Sequence, residues 1–152
     1  MELIKFVNEE LVFNNRECKT KEEFFKMVHD KAFENGFVKE EFYEKVLNRE
    51  NTFPTGINLG EYGVAIPHTD AEYINKEFIA ICTFENPIVL KSMEDENEEV
   101  NVKLAFVLGF NQPHNQLSAL QELMGVIQNA ETVKKLIDAG KKDEVIEIIE
   151  SL

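Results

Sequence analysis

The pattern of apolar and polar residues predicts two main strands in the second half of the chain. Between Val100 and Phe110 every second residue is apolar, namely Val102, Leu104, Phe106 and Leu108. A period of two is typical of a β-strand that turns one face to the core. The segment Phe78–Phe84 is apolar at nearly every position, which indicates a central strand covered on both faces.

Helical spacing appears on both sides of these strands. Thr20 and Glu23 form a capping-box pattern at the start of a first helix, which Asn35-Gly36 ends. A second helix is predicted over about residues 39–48, because apolar side chains recur there four positions apart. Beyond Gln112 the apolar spacing predicts a long amphipathic helix, followed by one or two shorter ones that end the chain.

Three shorter strands complete the prediction. One covers Glu10–Asn14, another covers Pro87–Leu90, and the third begins at Gly63 and stays extended because Pro67 disfavours the helical conformation of the residue before it. The order is therefore strand, two helices, several strands, then two or three helices. This order predicts that residues 1–152 form one α/β domain with a mixed central β-sheet and helices on both faces.

Charge and composition restrict the kind of partner. The formal net charge of −13 argues against nucleic acid and against an anionic membrane surface, and it suits a partner with a basic contact face. The first residues lead into acidic positions, so we do not expect them to act as a signal peptide, and no apolar run approaches the roughly 20 residues of a membrane helix. Cys18 and Cys82 have no metal-type spacing, so reduced thiols are expected. We therefore expect a cytoplasmic protein with no membrane insertion.

The histidines are the main candidates for chemistry. His68 and His114 each follow a proline directly and each comes after a predicted buried strand. If those strands are neighbours, both imidazoles emerge at the same rim of the sheet, where α/β folds bind ligands. His114 would also stand in the first turn of a helix, whose unpaired N–H groups favour phosphate. His29, on the first helix, is interpreted as a surface or boundary residue without a role.

Two further side chains suit a phosphorylated ligand. Arg49 can grip a phosphoryl group with two hydrogen bonds, and Thr55 can add a hydroxyl. An imidazole nucleophile, a second imidazole and a guanidinium together suit phosphoryl transfer, in which the protein mainly positions the group and stabilises its charge. From spacing alone the indication is modest, since a histidine after a proline is more often structural than catalytic.

Three short stretches together resemble a known signature: Arg49-Glu50, Pro54-Thr55-Gly56, and Gly63-Val64-Ala65-Ile66-Pro67-His68. They are similar to the type-2 IIA domains of the phosphoenolpyruvate-dependent sugar phosphotransferase system, which include the fructose, mannitol and galactitol types and the nitrogen-regulatory relatives. The resemblance extends from the first strand to the last helix. The galactitol-like branch looks closest, because of the Phe-Pro-Thr-Gly stretch and of Thr69 after the histidine. The chain departs from many members of the family in one respect, since they carry glycine where this chain has Thr69-Asp70.

The resemblance implies a mannitol-type EIIA fold and a phosphotransferase component that works through a phosphohistidine, without a cofactor or metal. It implies that His68 accepts a phosphoryl group from the phosphocarrier HPr. His68 would pass the group to a cysteine of the cognate IIB domain, which serves a membrane IIC permease in sugar uptake. It also implies His114 as the second active-site histidine, Arg49 as the arginine that steadies the phosphohistidine, and Thr55 as a phosphate-binding residue.

Three alternatives stay open at this point. A nitrogen-type IIA protein would be phosphorylated in the same way but would regulate other proteins instead of serving a permease. His68, Asp70 and His114 offer two imidazoles and a carboxylate, which is enough to bind zinc. In the third alternative the domain is purely structural, with His68 as a hydrogen-bonded core residue.

Overall fold

The secondary structure of residues 2–152, the part of the chain that this computed structural model describes, follows the predicted order of elements. The strands are β1 (Val7–Arg16), β2 (Gly56–Asn58), β3 (Gly63–Ala65), β4 (Phe78–Lys91) and β5 (Glu99–Gly109). The α-helices are α1 (Lys21–Glu34), α2 (Phe42–Thr52), α3 (Pro113–Ile127), α4 (Ala130–Asp138) and α5 (Lys142–Glu150). Within residues 2–152 no helix is both long enough and apolar enough to cross a bilayer.

The strands form one mixed sheet in the order β1-β4-β5-β3-β2. β1 runs parallel to β4 and β3 runs parallel to β5, whereas the β4–β5 and β2–β3 pairs are antiparallel. Because β3 and β5 are parallel neighbours, their carboxyl ends lie at the same rim of the sheet. The two Pro-His segments therefore do follow neighbouring strands, which is the condition under which both histidines were expected at one rim.

Two elements differ from the predicted boundaries. β4 is one continuous strand although Pro87 interrupts it. The pairing with β5 shifts register between Thr83 and Ile88, and Pro87 lies in this irregular stretch, where its missing N–H is tolerated. α2 continues to Thr52, further than the apolar spacing indicated. As a result Arg49 and Glu50 both belong to its last turns.

The sheet separates two apolar cores, as its alternating side chains require. Ala80 and Cys82 of β4 point to the core under α1 and α2, and Ile79 and Ile81 point to the core under the three C-terminal helices. Each of these four residues is at most 1% exposed. The predictions of helices on both faces and of a fully covered central strand are confirmed.

Candidate functional site

His68 is fixed at the rim of the sheet by the backbone on both sides of it. The carbonyl of Pro67 accepts a hydrogen bond from the Leu108 N–H at 2.9 Å, and His68 itself forms an isolated parallel bridge with Leu108. The histidine therefore extends the β3–β5 pairing beyond the end of β3. Its side chain is half-buried and borders open cavities, which differs from the sealed core histidine of the structural alternative.

One nitrogen of the His68 ring is anchored. Nδ1 lies 3.0 Å from the carbonyl oxygen of Ile66. A carbonyl oxygen can only accept, so in this hydrogen bond Nδ1 carries the proton and donates it. In the neutral ring the lone pair is then on Nε2. The local backbone thus selects one tautomer and reserves Nε2 for a reaction.

Arg49 supplies the positive charge beside the ring. Its guanidinium lies over the Phe53 ring at 4.9 Å from the ring centre and pairs with Asp70, with Nη1 and Oδ1 at 3.8 Å. The Arg49 side chain is 39% exposed, so the ion pair is weak and screened by solvent. Arg49 and His68 border the same two cavities, and the guanidinium can exchange the carboxylate for another anion.

Glu50 and Thr55 form a buried hydrogen-bonded pair behind the rim. The Glu50 carboxylate accepts from the Thr55 N–H at 2.7 Å and from the Thr55 hydroxyl at 2.9 Å. The same hydroxyl oxygen accepts from the Ile66 N–H at 3.2 Å. Burial raises the pKa of Glu50, and the two hydrogen bonds from Thr55 partly offset that rise.

Two open cavities meet at His68 and Arg49. The first, of about 520 Å³, lies towards the end of α2 and the loop between β4 and β5, and Thr55, Glu94 and Glu96 also border it. The second, of about 330 Å³, lies towards the start of α3, where Pro113, Gln116 and Leu117 form its wall. His68, Arg49 and Thr55 are therefore brought together as predicted, with acidic side chains close by.

His114 is not brought to the same cavities. It occupies the first turn of α3 and borders a separate depression with Leu3, Phe6 and Glu122. Residues 113, 116, 117 and 120 form the face of α3 towards His68, and residues 114, 115, 118 and 122 form the face with His114. The backbones of His68 and His114 both reach the same rim. The position of His114 on α3 turns its side chain to the face of the helix away from the His68 cavities, so the two imidazoles lie at different surfaces.

The start of α3 also differs from the expected phosphate site. The carboxylate of Glu77 accepts hydrogen bonds from the N–H groups of Asn111 and Gln112, both at 3.1 Å, and from the Asn115 side chain at 2.8 Å. A negative charge already occupies this helix terminus and would repel a phosphoryl group. The expectation of an anion site at the start of this helix is therefore not supported by the structure.

His29 corrects another expectation. Its side chain is only 5% exposed and stacks between Phe33 and Phe42, with ring planes within 9° and centres 5.6 and 6.2 Å away. Within residues 2–152 its Nδ1 has no hydrogen-bond partner. His29 is thus a buried histidine and not a surface one, because the α1–α2 contact covers the side of α1 that apolar spacing left undecided.

The remaining reactive groups give little support to other chemistry. Among residues 2–152 no cluster of three His, Cys, Asp or Glu side chains is arranged to hold a metal ion, so the geometry gives the zinc alternative no support. Cys82 is fully buried, and burial raises the pKa of its thiol well above the usual value, which disfavours the reactive thiolate.

Comparison with known families agrees with this fold. The chain belongs to the family described as phosphoenolpyruvate-dependent sugar phosphotransferase system, EIIA 2, which matches residues 5–152. The resemblance inferred from the sequence is thereby confirmed, and the chain is a IIA-type component of a phosphotransferase system. The galactitol-specific EIIA component of Escherichia coli K12 is 32% identical over 102 residues, which are 67% of each protein.

Solved structures show the same fold. The complex of enzyme IIAMTL and phosphorylated enzyme IIBMTL from Escherichia coli matches with a TM-score of 0.72 at 23% identity, covering 96% of this chain and 98% of that one. The nitrogen regulatory protein IIA-Ntr from Neisseria meningitidis matches with a TM-score of 0.78 at 19% identity, covering 98% and 99%. The predicted mannitol-type EIIA fold is confirmed.

Proposed function

We propose that this protein carries a phosphoryl group on Nε2 of His68, receiving it from HPr and delivering it to a cysteine of a IIB domain for sugar uptake. The observation that carries this proposal is the hydrogen bond from Nδ1 of His68 to the Ile66 carbonyl oxygen. It leaves Nε2 as the nucleophilic nitrogen on a ring that borders open cavities. The protein would work in the cytoplasm.

The two transfers are displacements at phosphorus. In the first, the Nε2 lone pair attacks the phosphorus of phospho-HPr, a P–Nε2 bond forms, and the broken bond returns its electron pair to HPr. In the second, a cysteine thiolate of IIB attacks the same phosphorus, and the P–Nε2 bond returns its electrons to the imidazole. The proton on Nδ1 stays in place throughout, so the ring ends as the same tautomer. No cofactor is consumed or required.

Arg49 is proposed to stabilise the transferred group. A phosphoryl group brings up to about two negative charges, and Glu94 and Glu96 border the same cavity as His68. The guanidinium can give two parallel hydrogen bonds to the phosphoryl oxygens, provided that it leaves Asp70. The acidic side chains around the cavity favour partners whose contact faces are basic.

The IIB partner and the link to transport rest on relatives. One relative is named as a galactitol-specific component, and one structural neighbour was solved as a complex of IIAMTL with phosphorylated IIBMTL. These names support a IIB acceptor, and they agree with the galactitol-like wording of the sequence. The IIC permease that this IIB domain would serve is a proposal at the level of the family. HPr as the donor and the sugar itself are proposals at the level of the family.

The contacts of Thr55 and His114 change what we propose for these two residues. Thr55 already gives its hydroxyl hydrogen to Glu50, so we propose that it holds the site in place and does not donate to the phosphate. The role of His114 as a second active-site histidine stays a prediction, since it would require a partner or a movement of α3 to bring it near His68.

The test is labelling with phosphoenolpyruvate that carries radioactive phosphorus, in the presence of enzyme I and HPr. The expected product carries an acid-labile phosphate, and peptide mapping places it on His68. Failure of phospho-HPr to label the protein, or labelling at another residue, would contradict the proposal. Adding a purified galactitol-type IIB domain should then discharge the label.

The alternative is a regulatory IIA protein. The nitrogen regulatory protein shares the fold, but at 19% identity it says nothing further about function. A protein that is labelled by phospho-HPr and is not discharged by any IIB domain would favour this alternative over transport.

A further inference from the structure

We propose that Glu50 is a positioning residue for the phosphoryl-accepting imidazole, acting through Thr55 and the backbone of Ile66 on the orientation and tautomer of His68. The inference rests on the proposed function only in so far as His68 is the acceptor. Glu50 stands beside Arg49 at the end of α2, so one helix end would supply both the phosphoryl-binding cation and the support of the nucleophile.

A chain of four hydrogen bonds connects Glu50 to His68. In each of them the donor lies on the His68 side and the acceptor on the Glu50 side. The Glu50 carboxylate accepts from the N–H and the hydroxyl of Thr55, the Thr55 oxygen accepts from the Ile66 N–H, and the Ile66 carbonyl accepts from Nδ1 of His68. Ile66 is thus held from both sides. Its N–H fixes where the residue lies, and its carbonyl fixes the ring.

The chain is sealed from solvent at its base. Glu50 and Thr55 are each 4% exposed and Ile66 is 3% exposed. A buried donor that loses its acceptor is destabilising, and the structure offers the Ile66 N–H no acceptor in place of the Thr55 hydroxyl. Pro67, which follows, has a fixed φ and no N–H. A change in the Ile66 position is therefore transmitted to His68 and not absorbed.

The chemistry at Glu50 requires a carboxylate in particular. Thr55 presents two donors to it, its N–H and its hydroxyl, and a carboxylate has two oxygens to accept them. A glutamine has one oxygen and one NH₂ group, so one Thr55 donor would face another donor. The hydroxyl could then turn its hydrogen away and compete with the Ile66 N–H, which would loosen the anchor of the His68 ring.

The experiment measures the tautomer of His68 directly in the unphosphorylated protein. Ring ¹⁵N chemical shifts are recorded at about pH 8, where an ordinary imidazole is neutral, for wild type, Thr55→Val, Thr55→Ser and Glu50→Gln. Thr83→Val is the matched control, because Thr83 is a buried threonine whose hydroxyl serves Asn14 and Asn15 and lies outside this chain.

Wild type, Thr55→Ser and Thr83→Val should show His68 with the proton on Nδ1. Thr55→Val and Glu50→Gln should show a mixture with the Nε2-protonated form and should accept phosphate from phospho-HPr on the order of tenfold more slowly. An unchanged tautomer or an unchanged rate in Thr55→Val would overturn the inference. An unchanged tautomer in Glu50→Gln would overturn it as well. If Glu50→Gln does not fold, Glu50→Asp takes its place, because it keeps the carboxylate but is too short to reach Thr55 in the same way, and it should show the same mixture of tautomers.

The tautomer readout also separates this inference from the proposed function. A wild-type protein that phospho-HPr does not label would overturn the proposed function whatever the ring shifts show. A labelled wild type whose His68 tautomer ignores the loss of the Thr55 hydroxyl would overturn only the positioning role.

Discussion

Two imidazoles of this protein, His68 and His29, have opposite surroundings. His68 is half-buried at the rim of the sheet, with one ring nitrogen anchored on a carbonyl and a guanidinium near by. His29 is stacked between aromatic rings inside the α1–α2 contact, and its Nδ1 has no partner among residues 2–152. His68 thus has the surroundings that the proposed phosphoryl transfer needs, and His29 does not.

The difference shows what a carrier histidine requires besides its chemistry. Its ring must be held, its proton must be assigned to one nitrogen, and the other nitrogen must be reachable by a partner. His29 meets the first condition through stacking but not the others. Burial lowers the pKa of His29 because the charged ring loses its hydration, so His29 acts on stability and not on transfer.

The largest expected effect separates the two histidines by labelling. His68→Ala should abolish labelling by phospho-HPr, since the nucleophile is lost, and His29→Phe should be labelled as wild type. Circular dichroism should show that both variants remain folded. A labelled His68→Ala protein would place the acceptor at another residue.

The second effect concerns the cation beside His68. Arg49→Gln should slow acceptance of the phosphoryl group by about 10²-fold, because a charged donor to the phosphoryl oxygens is removed. Arg49→Lys should accept the phosphoryl group at a rate between those of wild type and Arg49→Gln, because lysine keeps the charge but cannot give two parallel hydrogen bonds. Lys45→Gln is the control, because it removes a cation one turn earlier on the same helix. If its rate of phosphoryl acceptance fell as much as that of Arg49→Gln, the effect of Arg49 would reflect only the loss of a positive charge from the protein and not a contact with the phosphoryl group.

The third effect is on stability and involves His29. Its pKa is lowered in the folded state, so the unfolded chain binds a proton more readily near the ordinary pKa of about 6.5. The contribution of His29 is therefore complete above that pH and is lost as pH falls through it towards the folded pKa. The free energy of unfolding from urea titrations should decrease from pH 7.5 to 5.5.

The matched comparison for that experiment is His29→Phe, which keeps an aromatic ring in the stack and removes the titrating group. Its unfolding free energy should fall less over the same interval than that of wild type. His114→Ala, which removes an exposed histidine, should retain the wild-type fall. Equal pH dependence in wild type and His29→Phe would contradict the assigned role.

The smallest effect separates the two faces of α3. His114→Ala should leave acceptance of phosphate from phospho-HPr nearly unchanged, because its side chain borders a different depression, and it should slow delivery to IIB if the predicted role is correct. Gln116→Ala, on the face that borders the His68 cavity, should slow acceptance more. A larger loss of acceptance in His114→Ala would contradict the division of faces.

The fold was largely predictable because its signals are local. The alternation in β5, the apolar run in β4 and the Thr20 cap each depend on neighbours within a few residues. The Thr20 hydroxyl accepts from the Glu23 N–H at 3.1 Å, as the capping pattern predicted. The exception is β4, where Pro87 suggested two strands. Only the pairing with β5 shows that a shift of register between Thr83 and Ile88 accommodates the proline.

The site was predictable in part. The sequence indicated His68, Arg49 and Thr55, and the structure places all three at one cavity. Glu50 was recognised only as part of a motif, although its spacing from Phe42 and Val46 was a usable signal. These residues lie four apart on the buried face of α2, and an acid on such a face needs internal partners.

Gln116 carried no signal of that kind. It borders the His68 cavity because α3 meets the rim of the sheet, which the order of residues does not reveal. Asp70 is close to His68 in the sequence, but its ion pair with Arg49 depends on the fold. The same limit explains His114, whose backbone position was predicted correctly and whose side-chain direction was not, since α3 turns by 100° per residue.

The sequence by itself determined the elements, the class of fold, the family and the proline that places His68 after β3, because these depend on local patterning and on a specific motif. Only the tertiary structure decided which side chains face one another. It joined Glu50, Thr55 and Ile66 to the His68 ring, separated His114 from it, and enclosed His29 between aromatic rings. Such contacts arise where distant segments pack, and packing is set by the whole chain and not by any stretch of it.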